Sequence, residues 1–514
     1  MTTSAKPVSY RLWIPVVIVT IALGAVVFSF AIEHVFRFLF LYLAIVFACI
    51  GLWAWWVFLA GRFRWKSLLI GILVGASVFA LFRYALRFDG SAHGGGALKF
   101  AWKWTPESEQ NLEELPDAGT AIVSAERDPD LKDFPGFLGK NRDGRVPNPG
   151  LATDWETNPP EELWRIQVGL GWSSFAVVGD RAITQEQRGE EELVTCYHAQ
   201  TGQFLWSHSD EALFSEPMGS DGPRATPTIH DDTVYALGAT GILNALNIEN
   251  GEPIWSRSVL QELAQDNIEW GKSASPLVVD DLVIVTGGNS ESECVVAYDR
   301  LTGELAWKSG DGPASYSSPV LMTLQETDQV VTVLGDNVSS FEPTSGKLLW
   351  RFDWPGTFAK VAQPIRIDDN RLLVTSSYGI PSNLLKVERQ EGKWNVQAVW
   401  TERQMKTKFS SAVVRGDYAY GLDEGKMICL EIDTADRVWK GGRYGYGQNL
   451  LVGEDLILIQ TERGDVVLVE ATPEEHRELT RISPLSSKTW NAPALAGKFL
   501  FVRNDQEAVC LKLP

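Results

Sequence analysis

Histidine and cysteine are scarce in this chain, at six and five of 514 residues. No CxxC, HExxH or paired-histidine spacing occurs, so zinc-finger, thiol-redox and zincin chemistries find no ligand set. No P-loop is present. The HGGG run at 93–96 matches an esterase oxyanion loop, but no GxSxG nucleophile elbow accompanies it. Positive charge is also short: 46 Lys and Arg face 65 Asp and Glu, a formal net charge of -19. Such a chain repels phosphate backbones, which excludes nucleic acid as the main partner. Cys49, Cys196, Cys294, Cys429 and Cys510 include no adjacent pair, and each lies in an apolar or β-prone run. They read as small buried hydrophobes, with disulfide pairing left open. No catalytic residue and no metal ligand is assigned.

Apolar runs are plentiful at the N-terminus. Residues 12–32, 38–60 and 68–86 each approach the roughly 20 residues that cross a bilayer as a helix. Lys6 and Arg11 precede the first run, and Arg62, Arg64 and Lys66 separate the second from the third. The positive-inside rule then puts the N-terminus in the cytoplasm. Three crossings carry the rest of the chain to the outer side, the periplasm of a Gram-negative cell. Residues 1–89 are expected to form a three-helix transmembrane anchor in the bacterial inner membrane. Residues 90–133, rich in Gly, Ser, Glu and Pro, are expected to be a flexible linker that includes the HGGG run.

Tryptophan is the other abundance, with 20 residues. Several close a repeated hairpin, best seen in VVAYDRLTGELAW at 295–307. The β-prone start, the turn chemistry from Asp299 to Gly303 and the resumed extended pattern predict two strands around a tight turn. Counterparts end at Trp206 (TGQFLW), Trp255 (NGEPIW), Trp350 (SGKLLW), Trp400 (VQAVW) and Trp439 (ADRVW). Most units open on another strand–turn–strand, such as SASPLVVDDLVIVT from Ser273. Four antiparallel strands per unit, at a period of roughly 40–50 residues, predict propeller blades. Complete units span 171–206, 224–255, 273–307, 316–350, 361–400, 409–439 and 447–482. The eighth, from Trp490, has only three strands. ELWRIQV at 162–168 can supply the fourth and hide both sheet edges. The expected fold is an all-β eight-bladed propeller over 134–514, preceded by three transmembrane helices.

These turns resemble the tryptophan-docking motif of the PQQ-like (pyrroloquinoline-quinone-like) β-propeller repeat family. The match rests on Ala297, Asp299, Thr302, Gly303 and Trp307, on Thr201, Gly202 and Trp206, and more partially on Ala245, Gly251 and Trp255, Gly346 and Trp350, and Thr434 and Trp439. Ala435 stands where the last of these should have Gly. The lead-in FPGFLGKNRDG at 134–144 also resembles stand-alone propellers of the family. The resemblance implies that the docking Trp residues pack between blades. Quinoprotein dehydrogenases share the fold, which implies PQQ with Ca²⁺ and oxidation of an alcohol or sugar. Their adjacent-cysteine disulfide is absent, and their Glu, Asn and Asp calcium ligands cannot be placed here. Asn141, Arg142, Asp143 and Gly144 imitate the start of a calcium loop but lack its later acidic ligands, and read as a turn.

Propeller ligands usually sit at the mouth of the channel, where the innermost strands begin. The aligned position there is Ser174, Thr226, Ser275, Ser318, Gln363, Ser411, Asn449 and Ala492. Just upstream come Trp172, Arg224, Lys272, Tyr316, Lys360, Lys408, Tyr446 and Trp490. Two accounts fit this mix. Cations and aromatic faces can line a pocket for a planar or anionic ligand. Alternatively, small polar residues satisfy strand ends and long cations are solvated at a rim. The expected function is a membrane-anchored, non-cytoplasmic scaffold that binds a protein or small ligand at the propeller face. A PQQ-dependent dehydrogenase and a sensor or transport component are the alternatives.

Overall fold

Strand pairing follows the repeat. The computed structural model describes residues 14–22, 34–55, 65–105, 112–116 and 127–514. The chain divides into two units, Met1–Glu107 and Ser108–Pro514.

The N-terminal unit corrects one expectation. Its helices cover 14–22, His34–Ala54 and Trp65–Ala80, with a π-helical turn at Leu81–Ala85. Among the described residues no helix is long and apolar enough to cross a membrane, so the three-helix transmembrane anchor is not supported. The third run shows why. Its α-helix has 16 residues, about 24 Å at 1.5 Å per residue against a hydrocarbon core of about 30 Å. The chain then leaves the π turn in an extended conformation. The first part of the expected linker is ordered as a hairpin of Leu86–His93 and Ala97–Trp102. The HGGG run is its turn, where the His93 ring Nδ1 accepts the Gly95 N–H at 2.9 Å.

The second unit carries eight blades, as the repeats predict. The inner-to-outer strands of blade 1 are Ala176–Val178, Arg181–Arg188, Glu191–His198 and Phe204–Asp210. Blades 2 to 7 repeat this order, ending on outer strands Pro253–Ser258, Leu305–Asp311, Leu348–Asp353, Lys393–Glu402, Arg437–Gly441 and Glu478–Ile482. Blade 8 takes Ala494–Ala496, Phe499–Arg503 and Glu507–Lys512 from the C-terminus. Its outer strand is Glu161–Gln167, with Trp164 opposite Cys510. The two ends of the domain therefore close the ring. The short strand Arg145–Val146 adds to blade 7 in parallel, beside its innermost strand.

In blades 1 to 4 the docking turn locks the blade to its predecessor. Gly303 has φ +69°, and a Cβ there would lie 2.6 Å from the Trp255 indole of blade 2. Gly202, Gly251 and Gly346 meet Trp164, Trp206 and Trp307 in the same way. The indole Nε1 then donates to a carbonyl of the next blade: Trp164 to Ala199, Trp206 to Ile248, Trp255 to Arg300 and Trp307 to Pro343, at 2.8–3.0 Å. In all eight blades the outer strand pair shifts register immediately after the docking position. Such a bulge increases strand twist at that point. Cys196, Cys429 and Cys510 are the residues facing a docking Trp across the pair. All four propeller cysteines are free and buried. Their small side chains leave room for the indole.

Candidate functional site

The aligned position of the inner strands forms a collar of hydrogen bonds. Ser174 N–H donates to Thr226 Oγ1, Thr226 N–H to Ser275 Oγ and Ser275 N–H to Ser318 Oγ, at 2.9–3.0 Å. With the Gln363 amide oriented to satisfy both of its atoms, Ser318 N–H donates to Oε1 at 3.0 Å. Gln363 N–H continues to Ser411 Oγ at 2.9 Å. Ser174 Oγ closes toward blade 8 by donating to Ala492 O at 2.5 Å. These residues stitch neighbouring strand ends together. That accounts for the polar preference at this position without a ligand.

One end of the channel is plugged. With the strands of each blade lettered A to D from the inside out, strands A and C run away from the collar, so the A–B and C–D turns lie at the opposite end. The lead-in crosses there: Phe134 exchanges backbone bonds with Val177, and Ile229 N–H donates to Pro135 O. Arg142 sits at φ +58° and sends its guanidinium into the ring. It donates to Ser275 O and Pro319 O at 3.0 Å, to Thr228 Oγ1 at 2.9 Å and to Pro276 O. Gly144 O then accepts Leu451 N–H. The KNRDGR run is thus a turn, as expected, and one that ties blades 2, 3, 4 and 7 together. Asp143 Oδ1 caps the Arg145 N–H at 3.1 Å.

At the open mouth the eight residues singled out in the sequence divide. Trp172, Lys408, Tyr446 and Trp490 join one continuous patch. The Trp172 and Trp490 rings are 4.9 Å apart, Trp490 is 5.0 Å from Phe409, and Phe409 is 5.9 Å from Tyr446. Lys408 Nζ lies 4.6 Å from the Tyr378 ring centroid and 4.8 Å from that of Tyr446. Lys488 Nζ lies 4.2 Å from Trp490 and 5.1 Å from Trp172. Two carboxylates brace the patch from below. Glu424 accepts from Ser377 Oγ at 2.6 Å and Tyr446 Oη at 2.9 Å. Glu462 accepts from Trp490 Nε1 at 2.8 Å and Tyr446 N–H at 3.3 Å. Burial lowers the Lys408 ammonium from its ordinary range while Glu424 and Glu462 pull it back. Burial, reinforced by Glu424, raises the Tyr446 phenol.

Lys272 and Lys360 are buried against backbone carbonyls and do not join the patch. Lys272 is fully buried and donates to Thr286 Oγ1 at 2.9 Å and to Gly287 O. Lys360 donates to Gly335 O and lies 5.3 Å from the Trp354 ring. Burial drops their ammonium pKa values to about 7 and about 8. Arg224 folds onto the Ser220 and Gly222 carbonyls at 2.6–2.7 Å and over Phe214. Tyr316 packs on Trp270, 5.5 Å between rings, and accepts its N–H at 3.2 Å. Lys488, Phe409, Tyr378, Glu424 and Glu462 were not singled out in the sequence. Glu424 and Glu462 had a weak signal: Glu424 is the middle residue of a DEG string and Glu462 the first of an ERG string, each in the turn between the second and third strands of its blade.

The donor set does not fit a quinone with calcium. Both mouth carboxylates are committed to protein donors, and all five cysteines are free. Among the described residues no three His, Cys, Asp or Glu side chains converge on a metal-holding point.

An eight-bladed ring with docked tryptophans and terminal closure is a PQQ-like repeat propeller. The chain belongs to the family described as outer membrane protein assembly factor BamB, which it matches over residues 148–321 and 291–513. It is 24% identical over 286 residues to the outer membrane protein assembly factor BamB of Bordetella pertussis, covering 53% of this chain and 62% of that one. The chain spans about half to three-fifths of the length of the curated relatives it matches first. The crystal structure of BamB from Moraxella catarrhalis superposes with a TM-score of 0.50 at 15% identity, over 69% of this chain and 98% of that one. Quinohemoprotein alcohol dehydrogenase from Comamonas testosteroni gives 0.53 at 11% identity, over 74% and 80%. At such identities the likeness shows the fold alone.

Proposed function

We propose that the propeller is a non-catalytic binding scaffold whose open mouth receives a segment of a protein partner. The observation that carries this is the patch of Trp172, Phe409, Tyr446 and Trp490 flanked by Lys408 and Lys488. Rigid aromatic rings are among the side chains that dominate protein interfaces, and the adjacent ammonium groups add charge that a carboxylate or an aromatic face of a partner can meet. Arg142 and the lead-in close the other end, so access is from one side. The family name supports a partner in outer-membrane protein assembly; a place outside the cytoplasm is part of the same proposal. The dehydrogenase alternative has the shared fold in its favour, but the mouth carboxylates are held by protein donors.

The test is photo-cross-linking. A benzoylphenylalanine at position 409 or 446 should capture a discrete partner from cells. The same residue at Leu301, exposed on a C–D turn at the plugged end, should not. Absence of any adduct from the mouth, or equal capture from position 301, would overturn the proposal.

A further inference from the structure

The layers between blades are apolar along most of their height. Between blades 1 and 2, Val194, Cys196, Trp206, Leu246 and Ile248 form such a layer. Near the mouth this seam gathers buried oxygen atoms with nothing to bond. Glu192 and Asp210 are register partners in blade 1, on the face that carries Trp206. Asn244 of blade 2 faces them, because its neighbour Ala245 pairs with Trp255 toward blade 3. Glu192 is 4% exposed and Asn244 2%.

Their hydrogen bonds fix how they are turned. Ala239 N–H donates to Glu192 Oε1 at 2.7 Å, and Asn244 Nδ2 donates to Asp210 Oδ2 at 2.6 Å. The second contact fixes the amide orientation, so Asn244 Oδ1 must be the free atom. Glu192 Oε2, Asn244 Oδ1 and Thr240 Oγ1 are all buried without a partner. Gly238 leaves the space beside Glu192: a Cβ there would lie 2.3 Å from Oε2. Burial pushes the Glu192 carboxyl up to about 7. An unpartnered buried acceptor costs about 1–3 kcal/mol, and more when charged. Arg224 acts on Glu192 through charge alone, with its guanidinium bonded to the Ser220 and Gly222 carbonyls, so the three acceptors together point to a positive partner that binds them directly.

We infer that the seam between blades 1 and 2 holds a hard cation of the calcium type, ligated by Glu192, Asp210, the Asn244 amide oxygen and the Thr240 hydroxyl. The four named ligands are all oxygen, two of them carboxylate, which is the chemistry Ca²⁺ takes; the His208 Nε2 lies 3.7 Å from Asp210 Oδ1 beside them. The site is off the channel axis and distinct from the aromatic patch. It would clamp blade 1, whose first strand follows the ring closure, to blade 2.

The test uses the full chain, stripped with chelator and titrated with CaCl₂ by calorimetry and with Tb³⁺ by tryptophan-sensitised emission. One equivalent should bind, and Ca²⁺ should raise the thermal midpoint. Glu192→Gln and Asp210→Asn should each weaken binding at least about tenfold. If Glu192→Gln does not fold, Asp210→Asn decides, since that carboxylate is partly exposed. No binding of Ca²⁺ or Tb³⁺ by the wild-type chain, or unchanged affinity in the folded variants, would overturn the inference.

Discussion

Replacing Lys272 with methionine should change how the stability of the propeller depends on pH. The amine is fully buried, and its pKa falls to about 7 because desolvation penalises the charged form. In the unfolded chain it returns to the ordinary lysine range of about 10.4. Between these values the unfolded state binds the extra proton, so stability rises with pH across that window. Below about pH 6 both states are protonated and the contribution is flat. Each pH unit inside the window is worth up to about 1.4 kcal/mol. From pH 7.5 to 9 the wild type should therefore gain about 2 kcal/mol relative to Lys272→Met. The comparison cancels every other titrating group, provided the methionine is accommodated in the same volume. Urea unfolding followed by tryptophan emission at pH 6, 7.5 and 9 measures it. A wild-type-minus-variant difference that does not move between pH 7.5 and 9 would refute a neutral, carbonyl-fastening amine. A difference that moves toward the variant would reverse the sign and refute it more strongly.

Other outcomes follow from the docking turns and the plug. Ala435 holds φ +62° where blade 6 needs the turn glycine, so Ala435→Gly should stabilise by about 0.5–1 kcal/mol, read as a raised urea midpoint. Trp307→Ala empties a buried seam and removes the bond to Pro343 O. It should cost about 3–5 kcal/mol in the same assay. Arg142→Met strands the Ser275 and Pro319 carbonyls, at about 2–5 kcal/mol, and limited proteolysis should then cut within 134–146. Equal protection of that segment in both proteins would show that Arg142 does not hold the plug.

The ring was legible in the sequence because its instructions are local. A glycine that must take φ > 0 and a Trp a few residues on are one short string; four units carry both residues (Gly202 and Trp206, Gly251 and Trp255, Gly303 and Trp307, Gly346 and Trp350), and the strand pattern of the remaining units completes the blade number and the closure. The hydrogen-bonded collar was also readable as a row of small polar residues. The mouth was only half legible. Lys272 and Lys408 occupy the same aligned position, yet Gly287 O captures the first while aromatic rings surround the second. Those acceptors come from B–C loops whose backbone direction no local pattern reveals. The apolar runs of the N-terminal unit misled for a related reason. Composition measures how apolar a stretch is, whereas a span also needs the helix to continue. The 68–86 run leaves its helix at Ala80.

Blade 5 shows what the docking motif does by lacking it. Its outer hairpin turns through Glu391 and Gly392, with no Thr-Gly turn and no carbonyl placed for the preceding Trp. Trp350 accordingly stays within blade 4, where Nε1 donates to Gln329 Oε1 at 2.7 Å. The seam is closed another way. The two outer strands of blade 5 lengthen to nine and ten residues, and Trp394, Val396 and Ala398 pack on the blade 4 cluster of Val320, Met322 and Trp350. Apolar area from a longer hairpin thus replaces the indole-to-carbonyl bond. The consequence is asymmetric. Gly346→Ala should loosen the seam between blades 3 and 4, because its Cβ would lie 2.4 Å from the Trp307 ring. A substitution at Gly392 has open space around it, so it should cost only the backbone strain of its left-handed conformation, about 1 kcal/mol.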